Sequence, residues 1–238
     1  MPRFYIDTAL RAGMSCLLPE ESAHHAVHVL RVHAGDDITL FNGRGGEYAA
    51  RVASIERLKL LVDVLAHRAI ERESPLRLVL AQGISSGERM DFTVRKSVEL
   101  GVAEIHPLLA ATSVARPKGE RAAARHAHWQ KVAIAACEQC GRNRVPTVHA
   151  PVPALDYRAA TGTKVLLVPA AELRFSAACK AGEEFTIAAG AEAGFSEEEQ
   201  AAFVDAGFVP ARLGPRVLRT ETAGIAALAA LSALRGDF

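Results

Sequence analysis

Between Phe4 and Leu65 the apolar residues fall in short runs separated by turn formers, the pattern of a chain that builds strands a few residues long. Phe4–Ile6, Asp36–Phe41, Tyr48–Ala53 and Leu60–Leu65 read as strands, and Asn42-Gly-Arg-Gly-Gly46 supplies a hairpin turn between two of them. One helix is predicted around His24–Leu30, so residues 1–70 read as a small β-barrel module. The period changes after the polar stretch Glu71-Arg-Glu-Ser-Pro75, which reads as a linker. Leu76–Ala81 is strand-like, and Met90, Val94 and Val98 share one face of a helix over Glu88–Leu100 that Gly101 ends. Val102–Ile105 and Ala110–Val114 are expected strands, and Ala122–Gln139 a longer helix. Lys164–Pro169 and Glu184–Ala189 repeat the strand pattern, and Ser196 with Glu199 forms a capping box for a helix that leaves at Ala206-Gly207. Phe208–Pro210 follows, then an Ala- and Leu-rich helix over Ala223–Leu234 that should be buried or at an interface. Such alternation predicts an α/β domain with a mostly parallel sheet over residues 76–238.

Composition changes this picture little. Half of the 238 residues are hydrophobic, enough for a core that needs no disulfides, and Cys16, Cys137, Cys140 and Cys179 are expected to be thiols. The start, Met1-Pro-Arg-Phe-Tyr-Ile, lacks a secretory pattern and no apolar run nears the ~20 residues of a span, so a cytoplasmic protein without membrane contact is expected. Charge matters through its distribution, because 28 basic and 27 acidic side chains nearly cancel. Arg116, Lys118, Arg121, Arg125, Lys131, Arg142 and Arg144 face only Glu120 and Glu138, with Trp129 and two histidines among them. That excess suits either a solvated face or a phosphate backbone, and an RNA-facing role is expected of it. Arg3, Arg11, Arg31, Arg44 and Arg51 extend the same expectation into the first module.

Candidate chemistry lies near the C-terminus. Gly190-Ala-Glu-Ala-Gly-Phe-Ser196 and Leu213-Gly-Pro-Arg-Val-Leu-Arg-Thr-Glu-Thr222 each follow an apolar run, as loops do that present backbone edges to a ligand. A plain strand-to-helix turn would also use the glycines. Neither segment is Gly-x-Gly-x-x-Gly or a phosphate loop, so a cofactor other than a dinucleotide or nucleoside triphosphate is expected. Arg216 and Arg219 suit an anionic partner through the planar guanidinium fork, the alternative being an Arg219–Glu221 structural pair. Cys137-Glu-Gln-Cys140 is half a zinc pattern without a second half, and His24-His25 lacks companion ligands, so no metal is predicted.

Pro2-Arg-Phe4, Val29-Leu-Arg31, Phe41-Asn-Gly43, Met90-Asp-Phe-Thr93, Lys96–Gly101, Ala136–Pro146 and Leu213–Thr222 carry, across almost the whole length, a resemblance to the bacterial 16S ribosomal RNA uridine N3-methyltransferases of the SPOUT superfamily. It implies a PUA-like β-barrel followed by a trefoil-knotted methyltransferase domain, a homodimer, S-adenosyl-L-methionine as cofactor, and 16S ribosomal RNA of the small subunit as partner. By the same resemblance the cofactor-binding residues are Leu167, Val168, Pro169, Gly190, Ala191, Glu192, Gly194, Phe195, Leu213, Gly214, Arg216, Val217 and Leu218. Glu192 is the expected orienting residue and Arg219 the expected stabiliser of charge on the uridine oxygens. The RNA-binding set is Arg3, Arg11, Arg31, Arg116, Lys118, Arg121, Arg125, Arg142 and Arg144. The family's middle loop reads Gly-Pro-Glu-Gly-Gly, whereas this chain has Ala191 and Ala193. Loss of proline frees a backbone angle, and alanine is costly at positive φ, so weakened cofactor binding is the expected consequence. Two further readings stay open: a related enzyme acting on another RNA site, and an RNA binder that no longer accepts cofactor.

Overall fold

The computed structural model describes residues 1–57, 59–113, 117–159 and 161–238, which divide into two compact units. The first comprises Met1–Glu73 and Cys137–Val145, the second Ser74–Ala136 and Pro146–Phe238.

Strands β1 (Arg3–Tyr5), β2 (Ser15–Leu17), β3 (Asp37–Phe41), β4 (Glu47–Glu56) and β5 (Lys59–Arg68) form the sheet of the first unit, with helix α1 (Glu20–His28) between β2 and β3. Its strand order is β1-β3-β4-β5-β2, with β1 parallel to β3 and the other pairs antiparallel. Alternation along β3, β4 and β5 turns Ile38, Leu40, Val52, Leu60 and Val62 inward, where Ala23 and Ala26 of α1 complete the core. Two residues expected on the surface belong to this unit's interior. Arg3 donates to Glu47 at 2.6 Å and to Asn143 Oδ1 at 2.7 Å, and its guanidinium lies 5.1 Å from the Phe41 ring centre. Arg142, 4% exposed, chelates Glu73 through Nε and Nη2 at 3.1 and 2.5 Å. Both are corrected from RNA contacts to internal ion pairs, since a largely covered guanidinium held by a carboxylate cannot reach a phosphate.

The second unit runs β6 (Arg77–Gly83), α2 (Glu88–Glu99), β7 (Val102–Leu109), α3 (Glu120–Cys140), β8 (Thr147–Val148), β9 (Val152–Pro153), β10 (Thr163–Leu167), α4 (Phe175–Ala178), β11 (Glu184–Ala189), α5 (Glu197–Asp205), β12 (Val209–Ala211) and α6 (Thr220–Arg235). Its sheet is parallel throughout, in the order β12-β10-β11-β6-β7-β8, with β9 also on β7. The chain starts in the middle at β6, builds outward through β7 and β8, then returns to place β10, β11 and β12 on the other side. The order therefore reverses between β6 and β11, the point where parallel sheets open a crevice at the carboxyl ends of their strands. Ala110–Ser113 turns after β7 instead of forming the expected strand, and Val114 lies outside the described residues. Helix α3 starts in the second unit and ends in the first, where Cys137 is buried and its thiol, desolvated by that burial, is pushed up to about 12. No described helix is long and apolar enough to cross a membrane.

Candidate functional site

The segments that follow β10, β11 and β12 close around one cavity of about 370 Å³. Its walls include all thirteen residues expected to hold a cofactor, from Leu167–Pro169, Gly190–Phe195 and Leu213–Leu218, together with Gln200, Arg212, Thr220 and Ala223. Three neighbouring parallel strands end together, so loops far apart in sequence reach the same space.

Gly190–Phe195 is held from several sides. Ala191 accepts from the Gly194 amide at 2.9 Å, and Gly194 takes the left-handed conformation, φ 76°, that closes the turn. Ala193 does not: among the described residues only Arg31 and Arg57 combine a side chain with positive φ. The expected penalty at Ala193 is corrected accordingly, because the glycine-like position of this loop is filled by glycine. Ser196 caps α5 with the reciprocal box to Glu199, and the same buried Glu199 carboxylate accepts from Ala111 N at 2.6 Å. Thr112 Oγ1 donates to the Gly194 carbonyl at 2.5 Å. From the other side Gln82, fully buried at the end of β6, donates to Gly190 O at 3.3 Å, and Thr220 Oγ1 donates to the same oxygen at 2.7 Å.

Glu192 lines the cavity while its Oε1 accepts from Ser86 N at 3.0 Å, Ser86 Oγ at 3.1 Å and Arg89 Nη1 at 3.2 Å. Burial works to raise this carboxyl, but those donors outweigh it and hold the group below its ordinary range. Arg219 stands at the N-cap of α6 with its side chain 79% exposed, 4.0 Å from Glu221, so the alternative structural pair is at the limit of an ion pair. Arg216 is exposed on the same rim.

Of the expected RNA contacts, Arg11, Arg31 and Arg144 are exposed in the first unit and Lys118, Arg121 and Arg125 in the second; Arg116 lies outside the described residues. Trp129 is buried and offers no ring for base stacking. Sequence reasoning passed over Gln82, Thr112 and Thr220 as site residues. A lone glutamine in an apolar strand gives no periodic signal, and its partners are 108 and 138 residues away.

Glu104, His106 and His149 form the one metal-like grouping among the described residues. The imidazoles stack at 3.9 Å within 8° of parallel, so a single ion cannot lie in both ring planes, and Arg77 already holds the second carboxylate oxygen.

Residues 72–232 match the RNA methyltransferase domain family, and residues 18–65 the RNA methyltransferase PUA domain family. The ribosomal RNA small subunit methyltransferase E of Buchnera aphidicola is 33% identical over 241 residues, spanning 100% of this chain and 95% of its own. The Bacillus subtilis protein of the same name is 30% identical over the full length of both. The structure of the Neisseria gonorrhoeae ribosomal RNA small subunit methyltransferase E, bound to S-adenosyl methionine, is 39% identical with TM-score 0.92 over 100% of this chain and 99% of that one. A Legionella pneumophila protein described as a methyltransferase, in complex with the same cofactor, superposes at TM-score 0.95 with 38% identity, covering 99% and 98%. With both units matched and relatives aligned from end to end, the cavity beyond β10, β11 and β12 has its family: the chain belongs to the ribosomal RNA small subunit methyltransferases E, an α/β SPOUT methyltransferase domain behind a PUA-like domain.

Proposed function

We propose that this protein methylates N3 of a specific uridine in 16S ribosomal RNA of the small ribosomal subunit, with S-adenosylmethionine as methyl donor. The observation that carries the reading is the single cavity that gathers the three predicted loops at the carboxyl ends of β10, β11 and β12. Its donor set fits the cofactor. Leu167, Pro169, Phe195 and Leu218 give apolar walls for a purine ring, the loop backbones give amide and carbonyl edges, and its size lies within the ~300–1,000 Å³ usual for such ligands. When bound, the cofactor supplies an electrophilic methyl group on a positively charged sulfur.

The chain's own residues then have separable tasks. The three loops hold and orient the reactants, which removes the entropic part of the barrier. Glu192, ionised and committed to Ser86 and Arg89, fixes the middle loop and is a poor proton acceptor. Arg219 offers a mostly exposed guanidinium at the cavity rim, only weakly paired with Glu221 at 4.0 Å and placed to stabilise negative charge on the uridine oxygens as the N3 proton leaves. Arg11, Arg31 and Arg144 on one unit and Lys118, Arg121 and Arg125 on the other are the proposed phosphate contacts. A cytoplasmic location, a homodimer and a knotted C-terminal passage belong to the same reading. The last is supported by α6, which leaves β12 at the sheet edge yet packs on α2, β6 and β11.

Unmodified small-subunit particles incubated with methyl-labelled S-adenosylmethionine, then digested and analysed by mass spectrometry, test the reading. Label at one N3-methyluridine is expected. Label at another nucleoside would transfer the activity to a different RNA site, and folded protein that leaves every RNA unlabelled would overturn the enzyme.

A further inference from the structure

We propose that Gln82 and Thr220 are positioning residues for the cofactor: they lock the Gly190–Ala191 peptide from behind, while Thr112 locks the Gly194–Phe195 peptide at the loop's other end. This rests on the methyltransferase reading above, which assigns the loop its ligand but assigns these three side chains nothing.

A trans peptide is planar, so a pinned carbonyl also fixes the direction of the N–H that follows it. Gly190 O receives two donors, Thr220 Oγ1 at 2.7 Å and Gln82 Nε2 at 3.3 Å, and Gly194 O receives Thr112 Oγ1 at 2.5 Å. The amides so oriented belong to Ala191 and Phe195, both in the cavity wall. Thr220 is itself held, since its hydroxyl accepts from Gln82 at 3.2 Å while donating to Gly190. The orientation of the Gln82 amide is set by its surroundings. Its nitrogen faces Gly83 O at 3.1 Å as well as Gly190 O, and a flipped amide would set oxygen against both carbonyl oxygens.

The other end of this amide identifies its role. Gln82 Oε1 is buried without a hydrogen-bond partner, and a Cβ added at Gly224 of α6 would lie 3.0 Å from it. An interior selected for stability alone would put an apolar side chain here, because an unpaired buried oxygen destabilises the fold. The amide is retained for what its nitrogen holds. Close packing makes the lock rigid: a Cβ at Gly83 would fall inside the contact radius of the Ala191 nitrogen, leaving the loop no room to settle inward.

The experiment measures S-adenosylmethionine binding by calorimetry, melting temperature, and amide hydrogen exchange of segment 190–195 in the full-length protein. Gln82→Met deletes the donors together with the unpaired oxygen, so the melting temperature should hold within about 4 °C while Kd rises about tenfold. Thr220→Val should also raise Kd about tenfold, and Thr220→Ser, which restores the hydroxyl, should return it to within about threefold of wild type. Both Met and Val variants should speed exchange in 190–195. Ile105→Val, a core truncation away from the loop, should lower the melting temperature without changing Kd. Unchanged Kd and unchanged exchange in Gln82→Met and Thr220→Val would overturn the proposal. If wild-type protein bound no cofactor, the methyltransferase reading would fall, and exchange in 190–195 would still decide whether these side chains hold the loop.

Discussion

At the scale of single residues, the loop after β11 shows how geometry replaces an inference from residue type. Ala193 differs from the glycine of the family pattern, yet the positive φ belongs to Gly194 and Ala193 is exposed, so the methyl group strains nothing there. Ala193→Gly should therefore leave cofactor Kd within about twofold and lower stability by about 0.4–1 kcal/mol through the freer unfolded chain. Calorimetry and denaturant melts check the two parts, and a large gain in affinity would show that the alanine does distort the loop. Arg219 makes the opposite case. With its side chain mostly in solvent and its acidic neighbour at 4.0 Å, Arg219→Ala should change stability by no more than about 0.5 kcal/mol. If its guanidinium meets charge developing on the uridine, methyl-transfer kcat should fall about a hundredfold at unchanged cofactor KM. Loss of affinity instead of turnover would assign it to cofactor binding. Sequence made these two residues conspicuous but could not say which arginines point outward. Arg3 and Arg142 carry the same charge as Arg31 and Arg144, and it is the covered guanidinium that distinguishes an internal pair from a surface cation, since Arg144 also reaches a carboxylate, Glu71 at 3.6 Å, yet stays exposed.

At the scale of elements, legibility followed the strength of local signals. The helix over Glu88–Glu99, the strand Glu184–Ala189 and the capping box at Ser196 combine clear periodicity with clear end residues, and each forms where its pattern points. Strand β2 was not legible, because three residues, Ser15–Leu17, become a strand only by pairing with Leu61–Asp63. The end of α3 was legible to within one residue of Gln139, but nothing in its unbroken helical pattern shows that Cys137–Val145 joins the first unit. Pairing of β7 with β8 and β9 created another feature that only the fold reveals. His106 and His149 stack and share Glu104 Oε2 at 3.2 and 2.8 Å, with Arg77 on the other carboxylate oxygen and the Tyr157 ring beside His106. Burial first, then the neighbouring His149, depress His106 below its ordinary value against the pull of Glu104. A depressed folded value means the unfolded chain takes the proton first. Stability is then complete above the ordinary imidazole value of ~6.5 and declines as pH falls from there toward the folded-state value. Denaturant melts at pH 7.5 and 5.5 should show that decline, and His106→Asn should reduce it; an unaltered slope in the variant would remove His106 as its source.

For the whole molecule, the open question is what covers the far side of the cofactor loops. Helix α6, expected to be buried or at an interface, has Leu228 and Leu231 buried within the second unit and Ile225 half-buried. Leu234 is among the large apolar side chains left in solvent, as are Leu173 and Val217. Beside it is a second hollow of about 540 Å³ lined by Arg174, Phe175, Pro215, Ala230 and Leu234. Leu213 and Gly214 line both this hollow and the cofactor cavity, so one short backbone segment has a face in each. A second copy seated on the hollow would restrict that segment in the conformation the cofactor meets, and by linkage each bound cofactor would strengthen the dimer by the same factor. The proposed homodimer therefore predicts coupled behaviour. Wild-type protein should scatter light with twice the chain mass, and the paired change Leu173→Glu and Leu234→Glu, which sets like charges on exposed apolar positions outside the cofactor cavity, should yield single chains with a cofactor Kd raised about tenfold. Cofactor should in turn slow dissociation of the wild-type dimer on dilution. A dimer that the two glutamates leave intact would move the interface elsewhere, whereas single chains with undiminished cofactor affinity would separate assembly from the site and leave the Leu213–Gly214 segment rigid on its own account.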